Sequence, residues 1–167
     1  MGQVEAFKFI VDHNVGKMAK WLRMMGYDTL FFNGGEDSKL VAIALEQGRF
    51  ILIRDSGIIQ RRLIKRGKIR ALLIEGDRIE SQMKQVVDTL GLDIHFKPFS
   101  VCLECNQPLE ERNKQQVEGR VPPYVFKTQQ QYMECPACGR IYWRGTHWQE
   151  MNSKLEKLTD KPKQEAE

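Results

Sequence analysis

Seven residues of this chain have the types and positions that suit metal chemistry. Four are its cysteines, all beyond residue 100 and in two pairs: Cys102 and Cys105 in VCLECNQPL, Cys135 and Cys138 in MECPACGRIYW. Each C-x-x-C turn presents two thiolates to one ion, and two such turns complete the tetrahedral Cys₄ set of a structural Zn²⁺. Protein then fills every coordination position, so this set holds a fold together and leaves no site for water activation. In a cytosolic chain the paired spacing points to metal rather than disulfides. The 29 residues between the pairs exceed the common ribbon gap and leave room for an extra loop around VPPYV, 121–125.

The other three are aspartates. Asp12 follows the apolar run AFKFIV, Asp37 opens the segment after YDTLFF and its Asn33-Gly34-Gly35 turn, and Asp55 follows FILI within ILIRDSG. Carboxylates gathered at one edge repel one another unless a cation relieves them, and Mg²⁺ or Mn²⁺ prefers such oxygen ligands together with substrate phosphate. A site of that kind supports in-line phosphodiester hydrolysis. Each acid also has a plain structural use. Asp55 and Asp37 are well placed to cap the helices that follow them. Asn14 is the better-placed cap beside Asp12 and, with Lys17, is a candidate for orienting phosphate or water. His13 is a possible ligand, more often structural, and Glu36 is an alternative to Asp37. Asp77 and Glu80, in GDRIE, have capping-box spacing, which competes with a role for Asp77 as a fourth acid.

The elements that must position these residues follow from periodicity. Short apolar runs at 6–11, 27–32, 50–53 and 69–74 alternate with helical stripes at 15–25, 37–47, 56–66 and 79–90, each helix followed by glycine. This βαβαβαβα pattern predicts an α/β fold, a parallel sheet with helices on both faces. With strand order 2-1-3-4, the three aspartates rim one crevice outside the carboxyl ends of strands about 4.8 Å apart. The character changes near Pro98, where Cys, Gln, Pro and Gly accumulate. The expected organisation is a sheet domain over 1–97, a zinc ribbon with a C-terminal helix over 98–158, and a disordered tail over 159–167. The helix carries Trp148, Met151, Leu155 and Leu158 on one stripe, with Thr146 and Gln149 at capping-box spacing.

At 41% hydrophobic and 29% charged, the 167-residue chain belongs with soluble globular proteins and not with disordered or membrane ones. It has no apolar run long enough for a membrane span and no basic-then-apolar leader, so a cytoplasmic location is expected. The net charge of +4 comes from the first 97 residues, and its densest source is QRRLIKRGKIR, 60–70, six basic residues without an acid. Arg61, Arg62, Lys65 and Arg66 there are candidates for holding a polyanion, against the plain alternative of a solvated helix face. Trp143 and Arg144, in YWRGTHW, are candidates for stacking on bases, against a role in packing.

FIVDHNVGKMAKWLRMMGYDT, EDSKLVAIALEQGRFILIRDSG, CLECNQPL, VPPYV and ECPACGRIYWRGTHW together resemble, in order and from about residue 6 to 158, the PIN-like ribonuclease domain with a zinc ribbon named after the C-terminal domain of the mutator-seven exonuclease. The resemblance implies a PIN-like fold, a divalent-metal nuclease site and RNA as substrate. The family's strand-one acid matches Asp12, its Gly-Lys pair Gly16 and Lys17, its helix-opening acid Asp37, and its Arg-Asp after strand three Arg54 and Asp55. The Thr that usually precedes that Arg-Asp is Ile53 here. The expectation is a Mg²⁺- or Mn²⁺-dependent ribonuclease acting through Asp12, Asp37 and Asp55, with Asn14, Lys17, Arg54 and Asp77 in support and the zinc ribbon aiding RNA binding. The alternatives are a non-catalytic RNA-binding or ribosome-associated module that retains the fold, and a phosphoacceptor receiver-like domain.

Overall fold

Strand residues alternate sides, so a strand covered on both faces must be apolar at every position. FILI satisfies this at the centre of the sheet, and FIVD does so up to its last residue, Asp12. The computed structural model describes residues 6–159. Four parallel strands, β1 (Phe9–Asp12), β2 (Thr29–Phe32), β3 (Phe50–Ile53) and β4 (Ala71–Leu73), form a sheet in the order β2-β1-β3-β4. Val11 pairs with Phe31 on one side and with Leu52 on the other. All four residues of β1 and of β3 are buried.

Alternation sorts these side chains into two cores. Phe9, Val11, Phe50 and Leu52 face α1 (Lys17–Met25), α5 (Ile79–Leu90) and α7 (Thr146–Thr159), where Met18, Leu22, Met83, Val86, Met151 and Leu155 pack. Ile10, Ile51 and Ile53 face α2 (Asp37–Gln47) and α3 (Ser56–Ile59), with Leu40, Val41, Ala44 and Ile58. The connection leaving β1 therefore lies on one face and the connection leaving β3 on the other. The gap between these two strand ends is the switch point where such sheets bind ligands.

The expected helix over 56–66 is instead two short ones, α3 and α4 (Arg62–Lys65), broken where Arg61 turns extended at φ −63° and ψ 142°. Ile58 and Leu63 both pack on the second core. Five residues apart on one continuous helix they would point about 140° from each other, and the break brings both inward. β2 begins at Thr29 rather than 27 because Tyr27 is used elsewhere: its ring stacks on Phe96 at 4.9 Å and its hydroxyl donates to the Asp93 carbonyl at 3.0 Å.

The cysteine region is an antiparallel sheet in the order β5 (Glu110–Arg112), β6 (Tyr132–Glu134), β7 (Ile141–Tyr142). The loop expected around VPPYV contains α6 (Pro123–Thr128), which begins at a proline. Its small core is Val117, Val125 and Tyr132. Helix α7 leaves this region and returns to the first core through Met151 and Leu155. The predicted tail lies outside the described residues except for Thr159, which ends α7.

Candidate functional site

Asp12 is the last residue of the central strand β1 and is 8% exposed. It stands where a 3-10 turn (His13–Val15) begins, yet its side chain caps nothing. Its two oxygens are held by its neighbours: Nδ1 of His13 lies 3.0 Å from Oδ1, and Nδ2 of Asn14 donates to Oδ2 at 3.3 Å. Asn14, read from sequence as a helix cap, orients the aspartate instead. Gly16 follows, and a Cβ there would stand 2.5 Å from Cε2 of Phe31, so glycine lets the turn close onto β2.

A cleft of about 450 Å³ opens beside this turn, lined by Asn14, Lys17, Arg54, Asp77, Arg78 and Glu80 among others. All four residues expected in support of the acids, Asn14, Lys17, Arg54 and Asp77, thus meet in one place. Asp77 does not cap α5: Arg78 occupies the cap position, and the Asp77 carboxylate pairs with Arg54 at 3.0 Å. The residue is one position too early for the capping box. Arg78 and Gln82 also line the cleft, and sequence reading gave them no role; isolated polar residues at a helix start carry no distinguishing pattern.

Asp37 and Asp55 rise from the same carboxyl edge, after β2 and β3, and none of the three aspartates, Asp12 included, lines that cleft; Asp12 adjoins it through His13 and Asn14. Asp37 is the first residue of α2, with Glu36 at the cap position and no side-chain cap bond. Asp55 caps α3, its Oδ1 accepting from the Gly57 amide at 2.8 Å. Arg61, Arg62, Lys65 and Arg66 are all exposed around α4.

The four cysteines come together. Their sulfurs lie within 4.8 Å of one another, and among the described residues this is the only group of three or more His, Cys, Asp or Glu placed to hold a metal. Sγ of Cys102 lies 3.8 Å from Sγ of Cys138. A tetrahedron with Zn–S bonds of about 2.3 Å has edges of about 3.8 Å, so the spacing fits zinc. The two turns share one geometry. Asn106 and Gly139, each following the second cysteine of a pair, take positive φ of 62° and 76°. Their amides donate to the Cys102 and Cys135 carbonyls at 3.0 and 2.8 Å. Asn and Gly are the residues that tolerate this conformation. Burial raises the Cys102 thiol, but bonds from the Tyr142 hydroxyl and the Cys105 and Glu104 amides outweigh it and bring it to about 7. Cys105 is pushed up to about 12, chiefly by its bond with Cys138, then by burial. Four thiols this close do not all ionise unaided, and a divalent cation removes the penalty.

The parallel sheet in this order, followed by a four-cysteine ribbon and a returning helix, is matched by a family model described as Mut7-C RNAse domain, over residues 7–155. The chain belongs to this family. No curated protein and no solved structure matches it. The Mut7-C match spans both the sheet and the ribbon, so the two are parts of one family unit. Among the described residues no helix is long and apolar enough to cross a membrane.

Two residues missed in the sequence join the parts of this Mut7-C chain. Arg23 of α1 is buried, and its guanidinium donates to the Thr29 carbonyl at 2.9 Å and to the Leu103 carbonyl, inside the first cysteine turn, at 2.8 Å. Asn106 accepts from the Thr29 amide at 2.8 Å and donates to Asp28 at 2.6 Å. Asn106 had a readable signal, since the position after a C-x-x-C pair favours Asn or Gly. Arg23 had none.

Proposed function

We propose that the chain is a Mg²⁺- or Mn²⁺-dependent ribonuclease that hydrolyses RNA phosphodiester bonds at the carboxyl edge of the parallel sheet, with a zinc-bound ribbon aiding RNA binding. The observation that carries this reading is Asp12, a nearly buried carboxylate at the switch point that caps no helix and is held by His13 and Asn14 beside a cleft where Lys17, Arg54 and Arg78 meet Asp77 and Glu80. Membership of the Mut7-C RNAse family supports the reaction class. Asp12, Asp37 and Asp55 supply the hard oxygen donors that suit either ion, and Asp77 is a fourth acid within the cleft. The ion would supply charge stabilisation at phosphate and a water of lowered pKa. Lys17 and Arg54 bind the scissile phosphate, and Asp77 holds Arg54 in place. Asn14 fixes the orientation of Asp12. The exposed cations of 61–66 hold neighbouring phosphates, and Trp143 and Arg144 contact bases.

The test is cleavage of labelled single-stranded and structured RNAs with and without Mn²⁺, comparing wild type with Asp12→Asn and Asp55→Asn. Loss of about 100-fold or more in rate is expected for Asp12→Asn; equal cleavage by both variants would sink the assignment. A second reading, a non-catalytic RNA-binding module, is favoured by the three aspartates not lining the cleft and not forming a group placed to hold one metal. It expects salt-sensitive RNA binding that survives Asp12→Asn, without cleavage by wild type.

A further inference from the structure

The seam between α1, the ribbon and α7 holds an aromatic pocket of about 250 Å³, separate from the cleft. Its walls include Met24, Phe99, Leu103, Tyr142, Trp143 and Trp148. Pockets for drug-sized ligands run to roughly 300–1,000 Å³, so this one is sized for a single planar ring system. Three features of it are left unexplained by packing.

Phe99 has φ 59°, a left-handed conformation that bulky residues rarely adopt and that structures keep only where surroundings or function enforce it. The ring so placed lies 5.2 Å from that of Trp148, and the Arg144 guanidinium sits over both, at 5.4 and 5.2 Å. Second, Nε1 of Trp148 is a buried donor without a hydrogen-bond partner, the only such side-chain atom among the described residues; it is closed to solvent, so an acceptor reaches it only when the indole edge turns toward the pocket. An unmet buried donor is costly, and an acceptor brought by a ligand would relieve it. Third, the mouth is cationic. Lys20 and Arg140 line it and are exposed, as is Arg144 above it. The one carboxylate in the lining, Glu104, already pairs with Lys20 at 3.4 Å.

We propose that this pocket seats one unpaired nucleobase of the bound RNA, stacked among Phe99, Trp143 and Trp148, with a ring nitrogen or carbonyl of the base accepting from Trp148 Nε1. This rests on the RNA-binding part of the ribonuclease reading. Flanking phosphates meet Lys20, Arg140 and Arg144. Lys20 lies one turn along α1 from Lys17, which lines the cleft, so a single helix face links the seated base to the site of cleavage. Stacking on aromatic faces tolerates any base, whereas the single donor favours bases with an acceptor at the buried edge.

The test measures binding of a short single-stranded oligouridine RNA to the full zinc-loaded chain, without added Mg²⁺ or Mn²⁺, against the same RNA made abasic at each position in turn. One abasic position is expected to weaken binding about tenfold while the others change it little. Trp148→Phe keeps a ring and removes the donor; it is expected to weaken the intact RNA about fivefold and the abasic RNA not at all. Should that variant lose its zinc, Arg144→Gln at an exposed position serves in the same comparison: loss of its phosphate contact weakens both RNAs, and loss of its cover over Phe99 and Trp148 is expected to weaken the intact RNA further. A flat abasic scan, or variants that bind intact RNA as wild type does, overturns the pocket. If Mn²⁺-dependent cleavage persists alongside that result, the ribonuclease reading stands without it. If no RNA is bound or cleaved, both fall.

Discussion

Strands β1 and β3 bury every residue they have, whereas the three strands of the cysteine region bury only two, Tyr132 and Glu134. One of those two is a carboxylate, held between Arg112 at 2.9 Å and Arg120. The sheet region is thus supported by apolar burial on two faces, which leaves the polar residues at its carboxyl edge available for chemistry. The ribbon has three fully buried core side chains and depends on polar partners and on whatever its four thiols hold. Small modules below the size of a self-sufficient core are commonly stabilised by metal in this way. The aromatic residues that in a larger domain would fill a core are here partly exposed along the seam.

That contrast breaks most visibly on removal of metal. Structural zinc contributes on the order of 10–16 kcal/mol in small finger modules. Chelation, or Cys135→Ser, is expected to abolish amide-exchange protection in β5, β6 and β7 while β1 and β3 keep theirs. Equal loss in all five strands would show that the regions fold as one unit, and the contrast drawn here would fail. The seam offers an intermediate effect. Arg23→Met removes donors from the Thr29 and Leu103 carbonyls, and urea unfolding followed by far-UV circular dichroism is expected to report a loss of about 2–4 kcal/mol. A change below about 0.5 kcal/mol would mean that the two regions meet without depending on each other.

The smallest effect concerns the ion pairs of the ribbon. Arg120, against the opposing effect of burial and with help from Arg112, holds the Glu134 carboxyl below its ordinary range. The folded state therefore releases that proton more readily than the unfolded one. The pairs stabilise fully above the ordinary glutamate range, and the contribution fades as pH falls through that range toward the depressed folded value. The stability difference between wild type and Glu134→Gln, from urea melts of the zinc-loaded chain, is expected to shrink on going from pH 7 to pH 4. A difference that holds constant across those values would remove the ion pairs from the account of the ribbon.

Legibility in the sequence followed the same division. The bounds of α2 and α5 were readable because apolar spacing and a following glycine mark them directly, and those of β3 because its unbroken apolar run stands between Arg49 and Arg54. The segment 56–66 was misread as one helix because nothing in its local pattern tells that Ile58 and Leu63 must reach the same core. Asp77 was misread as a cap because its spacing to Glu80 is right and its partner, Arg54, lies on another strand end. Asn14, Lys17 and Arg54 were named as candidates, but nothing short of the fold could say that they line one cleft while Asp12, Asp37 and Asp55 do not.

The sequence by itself determined the parallel sheet with its helices, through alternation of apolar runs with helical stripes, and the cysteine cluster, through paired spacing. Both depend on local chemistry repeated along the chain. Only the tertiary structure decided which acid lies at the switch point without a capping duty, which residues line the cleft beside it, and that Phe99, Trp143 and Trp148 line one pocket whose wall buries an unmet donor. Those are relations between side chains far apart in sequence, and packing brings them together through contacts that no periodicity encodes.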